Sequence, residues 1–184
     1  MSQRDAGFWK GMAVTFLFGI CLGIGMANLL PAENLKQHSK ITVLLENGMS
    51  TESMETRFLW IFPLRMRLLL ILILAGCAAP FLEAAALTGM AAGWCVGMYA
   101  GSAVLAEGSA GGTLAAAALL PQAFLYGAAI CRILKMGWYR ERGRKRKEGS
   151  FFLGITQAAG IYLLGILTES ILNPAVLQTI LRIL

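Results

Sequence analysis

The sequence predicts an all-α membrane protein, a single domain (1–184) built as a bundle of about five transmembrane helices. Three observations indicate this class. The residues A, V, I, L, M, F, W, Y and C make up 57% of the 184 residues before glycine is counted, whereas a soluble domain reaches only about 45–50% with glycine included. Charged residues are 14%, against about 25% in a soluble domain. The uncharged residues also form long continuous runs.

The first uncharged run covers 11–32 and has 22 residues. About 20 helical residues cross a bilayer core of roughly 30 Å, so the first span is placed at about 10–30. Its apolar part is longer than that of a usual signal peptide, and the sequence around Ala27 is a poor cleavage site. The segment is therefore expected to stay attached as an anchor.

Two spans are predicted between residues 68 and 106, where Glu83 alone interrupts the uncharged sequence. One helix of this length would measure about 58 Å, nearly twice the bilayer core. The stretch is therefore expected to form a tight hairpin. We place its spans at about 67–86 and 87–106, with Glu83 near the inner turn.

The last two spans follow from uncharged runs of 24 residues at 108–131 and 20 residues at 149–168. They are placed at about 113–136 and 150–171. Because proline lacks an amide hydrogen, a proline inside the fourth span is expected to kink it. This residue is Pro121.

The distribution of Lys and Arg predicts the orientation, because positive residues accumulate on the cytoplasmic side of a membrane. Half of the 16 Lys and Arg residues lie within 132–147. The basic loop 137–149 and the N-terminus are therefore placed in the cytoplasm, and the C-terminus outside the cell membrane. Such a run beside a span is more typical of attraction to anionic lipid than of nucleic-acid binding, so no nucleic-acid partner is expected.

The polar region 31–66 becomes an outer loop in this arrangement. Short helices lying in the membrane interface are expected there, with Trp60 and Phe62 at headgroup level. For Asn47–Glu55 a loosely ordered loop is an equal alternative.

Glycines recur every four residues in the third span, and a further pair lies in the first span. Small residues on one face of a helix allow another backbone to approach closely. The expected helix-packing surface consists of Gly19, Gly23, Gly89, Gly93, Gly97 and Gly101. Packing inside the bundle is favoured over contact with a partner chain, such as a second copy forming a homo-oligomer.

Polar and helix-breaking residues within the spans require an explanation, because polar groups are costly in lipid. The candidates are Glu83, Pro121, Gln122, Gln157, Glu169, Asn173 and Pro174. In one interpretation they repair the kink, cap helix ends and, at Asn173–Pro174, stop the fifth span. In the other, Gln122, Gln157 and Glu169 line a path for a solute or a proton.

Catalytic and metal-binding patterns do not occur in the sequence. It contains no GxSxG, HExxH or Walker-type motif, and its one histidine, His38, has no evident partner. The four cysteines lie in apolar segments without a CxxC pair, which favours apolar packing over disulfides or metal binding. We expect no catalytic residue, metal or cofactor.

Three features follow one another along the chain: the glycine-rich third span from Thr88 to Gly101, then Leu120-Pro121-Gln122, then the ending 169–174. The basic loop lies between the last two. With these features, most of the chain resembles the stage II sporulation protein M family of endospore-forming bacteria. Many members of the wider family carry Pro-His-Gly where this chain has Pro-Gln-Ala at 121–123.

The resemblance implies a non-enzymatic role in the mother-cell membrane. Members of this family work with two peptidoglycan-degrading partners, stage II sporulation proteins D and P, during engulfment of the forespore, and help to hold them at the septum. A small transporter or permease subunit is the alternative, since a broken fourth helix beside Gln122, Gln157 and Glu169 is a common transporter device. The sequence has no inverted repeat that would support it.

Overall fold

A computed structural model describes residues 3–31, 54–77, 81–141 and 148–181, and these ranges are helical almost throughout. The helices are α1 (Gln3–Leu29), α2 (Met54–Cys77), a long segment (Phe81–Glu141) and α5 (Glu148–Leu181). We divide the long segment into α3 (81–107) and α4 (109–141), because Gly108 between them has φ 64° and ψ −143°, which is not helical. The predicted all-α class is confirmed.

The chain reverses direction at Gly108. In a straight helix, residues 103 and 111 would be about 12 Å apart, yet a Cβ atom at Gly111 would fall against the carbonyl of Ala103. The two arms therefore run antiparallel beside the reversal. Glycine suits position 108 because a side chain disfavours a positive φ.

Four helices among the described residues are long and apolar enough to cross a membrane. They are Asp5–Leu29, Phe58–Cys77, Phe81–Leu120 and Phe151–Leu172. The third contains the reversal at Gly108. This composition is consistent with a multi-pass membrane protein.

The predicted boundary between the second and third spans is wrong. α2 ends at Cys77 and α3 begins at Phe81, so the span 67–86 extends past the end of α2 into α3, whereas 87–106 lies within α3. Glu83 lies in the first turn of α3 and is exposed, where the helix dipole favours an acidic side chain.

The predicted outer loop 31–66 is also wrong in its second half, because residues 54–66 belong to α2. Trp60 is exposed, whereas Phe62 packs against the hydrophobic core of α2, α4 and α5. The interfacial helices predicted before residue 54 lie outside the described residues.

Neither the kink predicted at Pro121 nor the stop predicted at Asn173–Pro174 interrupts a helix. α4 continues through residue 121, and α5 continues through Asn173 and Pro174 to Leu181, so the predicted helix stop is wrong. Proline removes a single backbone hydrogen bond, and membrane helices tolerate it where neighbouring helices and local adjustment satisfy the freed groups. The first residues of the predicted loop 137–149, up to Glu141, are likewise helical.

Two compact units are present. The first combines Met1–Met49 with Ala85–Ala116, and in it α1 packs on α3. The second combines Ser50–Ala84 with Ala117–Leu184, and in it α2, α4 and α5 surround a buried core. That core contains Leu69, Ala129, Ile133, Met136, Ala158, Tyr162 and Ile166.

Candidate functional site

The glycine stripe of α3 packs directly on the backbone of α1. A Cβ atom at Gly93 would fall against the carbonyl of Phe16, and one at Gly97 against the carbonyl of Ile20, both closer than 3.0 Å. Residue numbers rise together along the two helices, so α1 and α3 run parallel.

The glycines of α1 pack in the same way on α3. A Cβ atom at Gly19 would fall against the carbonyl of Met90, and one at Gly23 against the carbonyl of Trp94. Each helix therefore presents glycine to the other's backbone, and the contact leaves no space for a side chain at these four positions.

The two ends of the stripe are less tight. A Cβ atom at Gly89 would meet Oγ1 of Thr15 at 2.9 Å, and one at Gly101 would meet Cβ of Ala27 at 3.1 Å. All six glycines of the predicted packing surface thus lie in the contact between α1 and α3.

In the second unit, Glu169 on α5 is held by Arg65 on α2. Nε of Arg65 donates to Oε2 of Glu169 at 2.8 Å, and Nη2 donates to Oε1. Such two-point pairing is stronger and more specific in geometry than a single hydrogen bond. The side chains are 30% and 12% exposed, respectively, so the pair lies largely inside the bundle.

Tyr126 on α4 completes this arrangement. Its hydroxyl donates to Oε2 of Glu169 at 2.6 Å, and the Arg65 guanidinium lies 5.3 Å from the centre of its ring. The ring also contacts that of Tyr162, with centroids 4.6 Å apart. One carboxylate therefore joins three helices, and we call these residues the Arg65–Glu169–Tyr126 cluster.

A glycine on α5 makes room for the tyrosine. A Cβ atom at Gly165 would meet Cε1 of Tyr126 at 2.7 Å. Gly165 precedes Glu169 by one helical turn, so the ring can lie against α5 while its hydroxyl reaches the carboxylate.

Gln122 is buried on α4, one turn before Tyr126. Its Nε2 donates to the carbonyl of Ala118 at 2.5 Å, and its Oε1 is buried with no hydrogen-bond partner in the described part of the structure. The carbonyl that Pro121 deprives of its usual donor is that of Ala117. The Gln122 amide therefore bonds the carbonyl of Ala118, whereas repair of the kink would require a bond to the carbonyl of Ala117.

Gln157 lies apart from the cluster. It is exposed and accepts a hydrogen bond from Nη2 of Arg132. Twelve residues separate it from Glu169, which is about 18 Å along a helix. Gln157 and Glu169 therefore do not line a common site. Asn173 and Pro174 follow Glu169 on α5, and their side chains lie outside the described part of the structure.

The sequence interpretation missed Arg65, Tyr126 and Tyr162. Arg65 was assigned to the outer loop because it is charged, although it is flanked by apolar residues. A charge within a span requires a partner of opposite sign. Extending the second span over Arg65 would have pointed to Glu169, the carboxylate near the outer end of the fifth span.

These features are consistent with the class of multi-pass α-helical membrane proteins, here with polar side chains that join helices to each other. Comparison with protein families, curated proteins and solved structures finds no match.

Proposed function

We propose that this protein is a non-enzymatic membrane scaffold, which recruits peptidoglycan-degrading partners to the septum during engulfment of the forespore. The resemblance to the stage II sporulation protein M family motivates the partners, stage II sporulation proteins D and P. The main structural support for a scaffold role is the Arg65–Glu169–Tyr126 cluster.

The cluster supports a structural role for Glu169. Its carboxylate accepts three hydrogen bonds and faces a guanidinium that matches its charge. A carboxylate that carries protons or solutes must exchange its partners, whereas this one ties α2, α4 and α5 together. The cluster therefore favours the scaffold over the transporter alternative.

The outward faces of the helices suit a scaffold in lipid. Leu17 and Phe18 on α1, and Leu59 and Trp60 on α2, are exposed. Apolar faces of this kind contact acyl chains or the span of another membrane protein. These faces supply the surface on which the proposed partners would be held.

The proposed orientation places the N-terminus and loop 137–149 in the cytoplasm, with the C-terminus outside the cell membrane. The parallel packing of α1 and α3 requires both helices to cross the membrane in the same direction, and the proposed orientation satisfies this requirement. A single cysteine replacing Ser150, in a chain without the four native cysteines, should react with an impermeant reagent only after cell lysis. Equal labelling of intact cells would contradict this topology.

Affinity capture tests the proposed function. The tagged chain would be expressed in sporulating cells of an endospore-forming bacterium that lacks its own stage II sporulation protein M. We expect proteins D and P to co-purify and engulfment to proceed. A folded, membrane-inserted chain that captures neither partner and does not restore engulfment would refute the proposal.

A further inference from the structure

Two arginines of the second unit have partners of different charge. Arg65 donates to the carboxylate of Glu169, which matches its charge. Arg132 donates through Nη2 to Oε1 of Gln157, an uncharged amide. Among the described residues, the exposed side chain of Arg132 therefore has no counter-charge.

A second cation lies on the same face of α4. Lys135 follows Arg132 by three residues, a spacing that makes side chains neighbours on a helix. Its Nζ lies 5.9 Å from the centre of the Tyr139 ring, and the side chain is exposed. Since the amide and the ring are both neutral, Arg132 and Lys135 form a patch of two positive charges.

The patch lies where α4 leaves the apolar part of the bundle. Arg132 is the first charged residue after the uncharged run 108–131. It is level with the last turn of α2, because a Cβ atom at Gly76 would meet the side chain of Ile133 at 2.8 Å. Basic side chains beside a tyrosine at the end of a span are typical of headgroup depth in a membrane.

We propose that Arg132, Lys135 and Gln157 bind the headgroup of an anionic phospholipid. Guanidinium and ammonium groups both bind phosphate. Because Arg132 occupies Oε1 of Gln157, the amide NH₂ group points away from that bond and is a further donor for a phosphate oxygen.

The surroundings favour a lipid over a soluble anion. On the face of α5 that carries Gln157, Leu164 lies two turns further along the helix, within the candidate span Phe151–Leu172, and is 55% exposed. An acyl chain attached to a headgroup at Gln157 would lie along this apolar face. An inorganic phosphate would use only the polar end of the site.

Native mass spectrometry of the purified full-length chain tests the site. The chain would be equilibrated with equal amounts of phosphatidylglycerol and phosphatidylethanolamine carrying the same acyl chains. We expect it to retain mainly phosphatidylglycerol. The double variant Arg132→Gln/Lys135→Gln should lose about 25-fold in this retention, since each basic residue contributes about fivefold near a membrane surface. No preference of the unaltered chain for the anionic lipid would overturn the proposal.

Two variants distinguish the site from general electrostatic attraction. Gln157→Glu places a carboxylate against Arg132, so retention of phosphatidylglycerol should fall about as far as in Arg132→Gln. Arg142→Gln/Lys145→Gln removes the same two residue types from the basic loop and should lower retention much less than the double variant does, because it removes only general electrostatic attraction.

Three further outcomes would overturn the proposal. They are full retention in Gln157→Glu, a loss in the loop variant as large as in the double variant, and release of the lipid by excess inorganic phosphate. Helix content by circular dichroism verifies that each variant is folded before retention is compared.

Discussion

Replacing Glu169 by Gln should destabilise the bundle, because it leaves the Arg65 guanidinium without a counter-charge. Removing one partner of a fully buried ion pair costs about 3–5 kcal/mol. Arg65 is 30% exposed, and the Gln side chain can still accept a hydrogen bond. The partial exposure of Arg65 and the remaining hydrogen bond both reduce the cost of the unpaired charge. We therefore expect a loss of about 2–3 kcal/mol in the free energy of unfolding.

The double variant Arg65→Gln/Glu169→Gln is the matched control. Two neutral amides can bond each other, and a hydrogen bond between membrane helices contributes about 0.6 kcal/mol on average. Most of the lost stability should return, so the double variant should be more stable than either single variant, with a favourable coupling energy between the two positions. Unfolding by a denaturing detergent, followed by circular dichroism, measures all four chains of this cycle.

Two results would refute the reasoning in different ways. Additive effects of the single substitutions would show that the ion pair does not act as a unit. If the double variant regained stability but failed to support engulfment at matched protein level, function would require the charge of Arg65 or Glu169 and not only the stability that the pair provides. The scaffold proposal would then be wrong, and the transporter alternative would be favoured.

Three further predictions concern single positions. Gly93→Ala should destabilise the protein almost as much as Gly93→Leu, because even a Cβ atom would meet the backbone of α1. Gly25→Ala, whose Cβ atom would have no described atom within 4 Å, should be neutral or slightly stabilising in the same unfolding assay. Gly108→Ala should lower the free energy of unfolding by about 1–2 kcal/mol, since a side chain disfavours φ of 64°, and an unchanged unfolding midpoint would contradict the reversal. Tyr126→Phe removes one donor to Glu169 and should cost about 1 kcal/mol in that assay; no measurable loss would show that the hydroxyl does not support the carboxylate.

Apolar patterning predicted the all-α class well, because it reflects the cost of exposing polar backbone in lipid. The glycine stripe was also visible in the sequence, since its four-residue repeat is local. Arg65 was not recognised as part of a span, because a charge is assumed to end a span unless its partner is known. That partner is 104 positions away, and no local pattern connects the two.

The helix stop predicted at a proline in α5 was also wrong. Asn173–Pro174 form a pair that ends helices in water, but α5 continues to Leu181. Asn173 and Pro174 lie just beyond the candidate span Phe151–Leu172. Proline removes only one backbone hydrogen bond of the helix, so the remaining bonds can carry the helix through it.

The contact between α1 and α3 restricts how these helices can slide. Glycines recur on α3 every four residues, which is about 6 Å along the axis. A slip of one or two residues would press side chains such as Met90 or Trp94 into the opposing backbone, whereas a slip of a full turn would again set glycine against it. Relative movement of α1 and α3 along their axes would therefore proceed in steps of one helical turn.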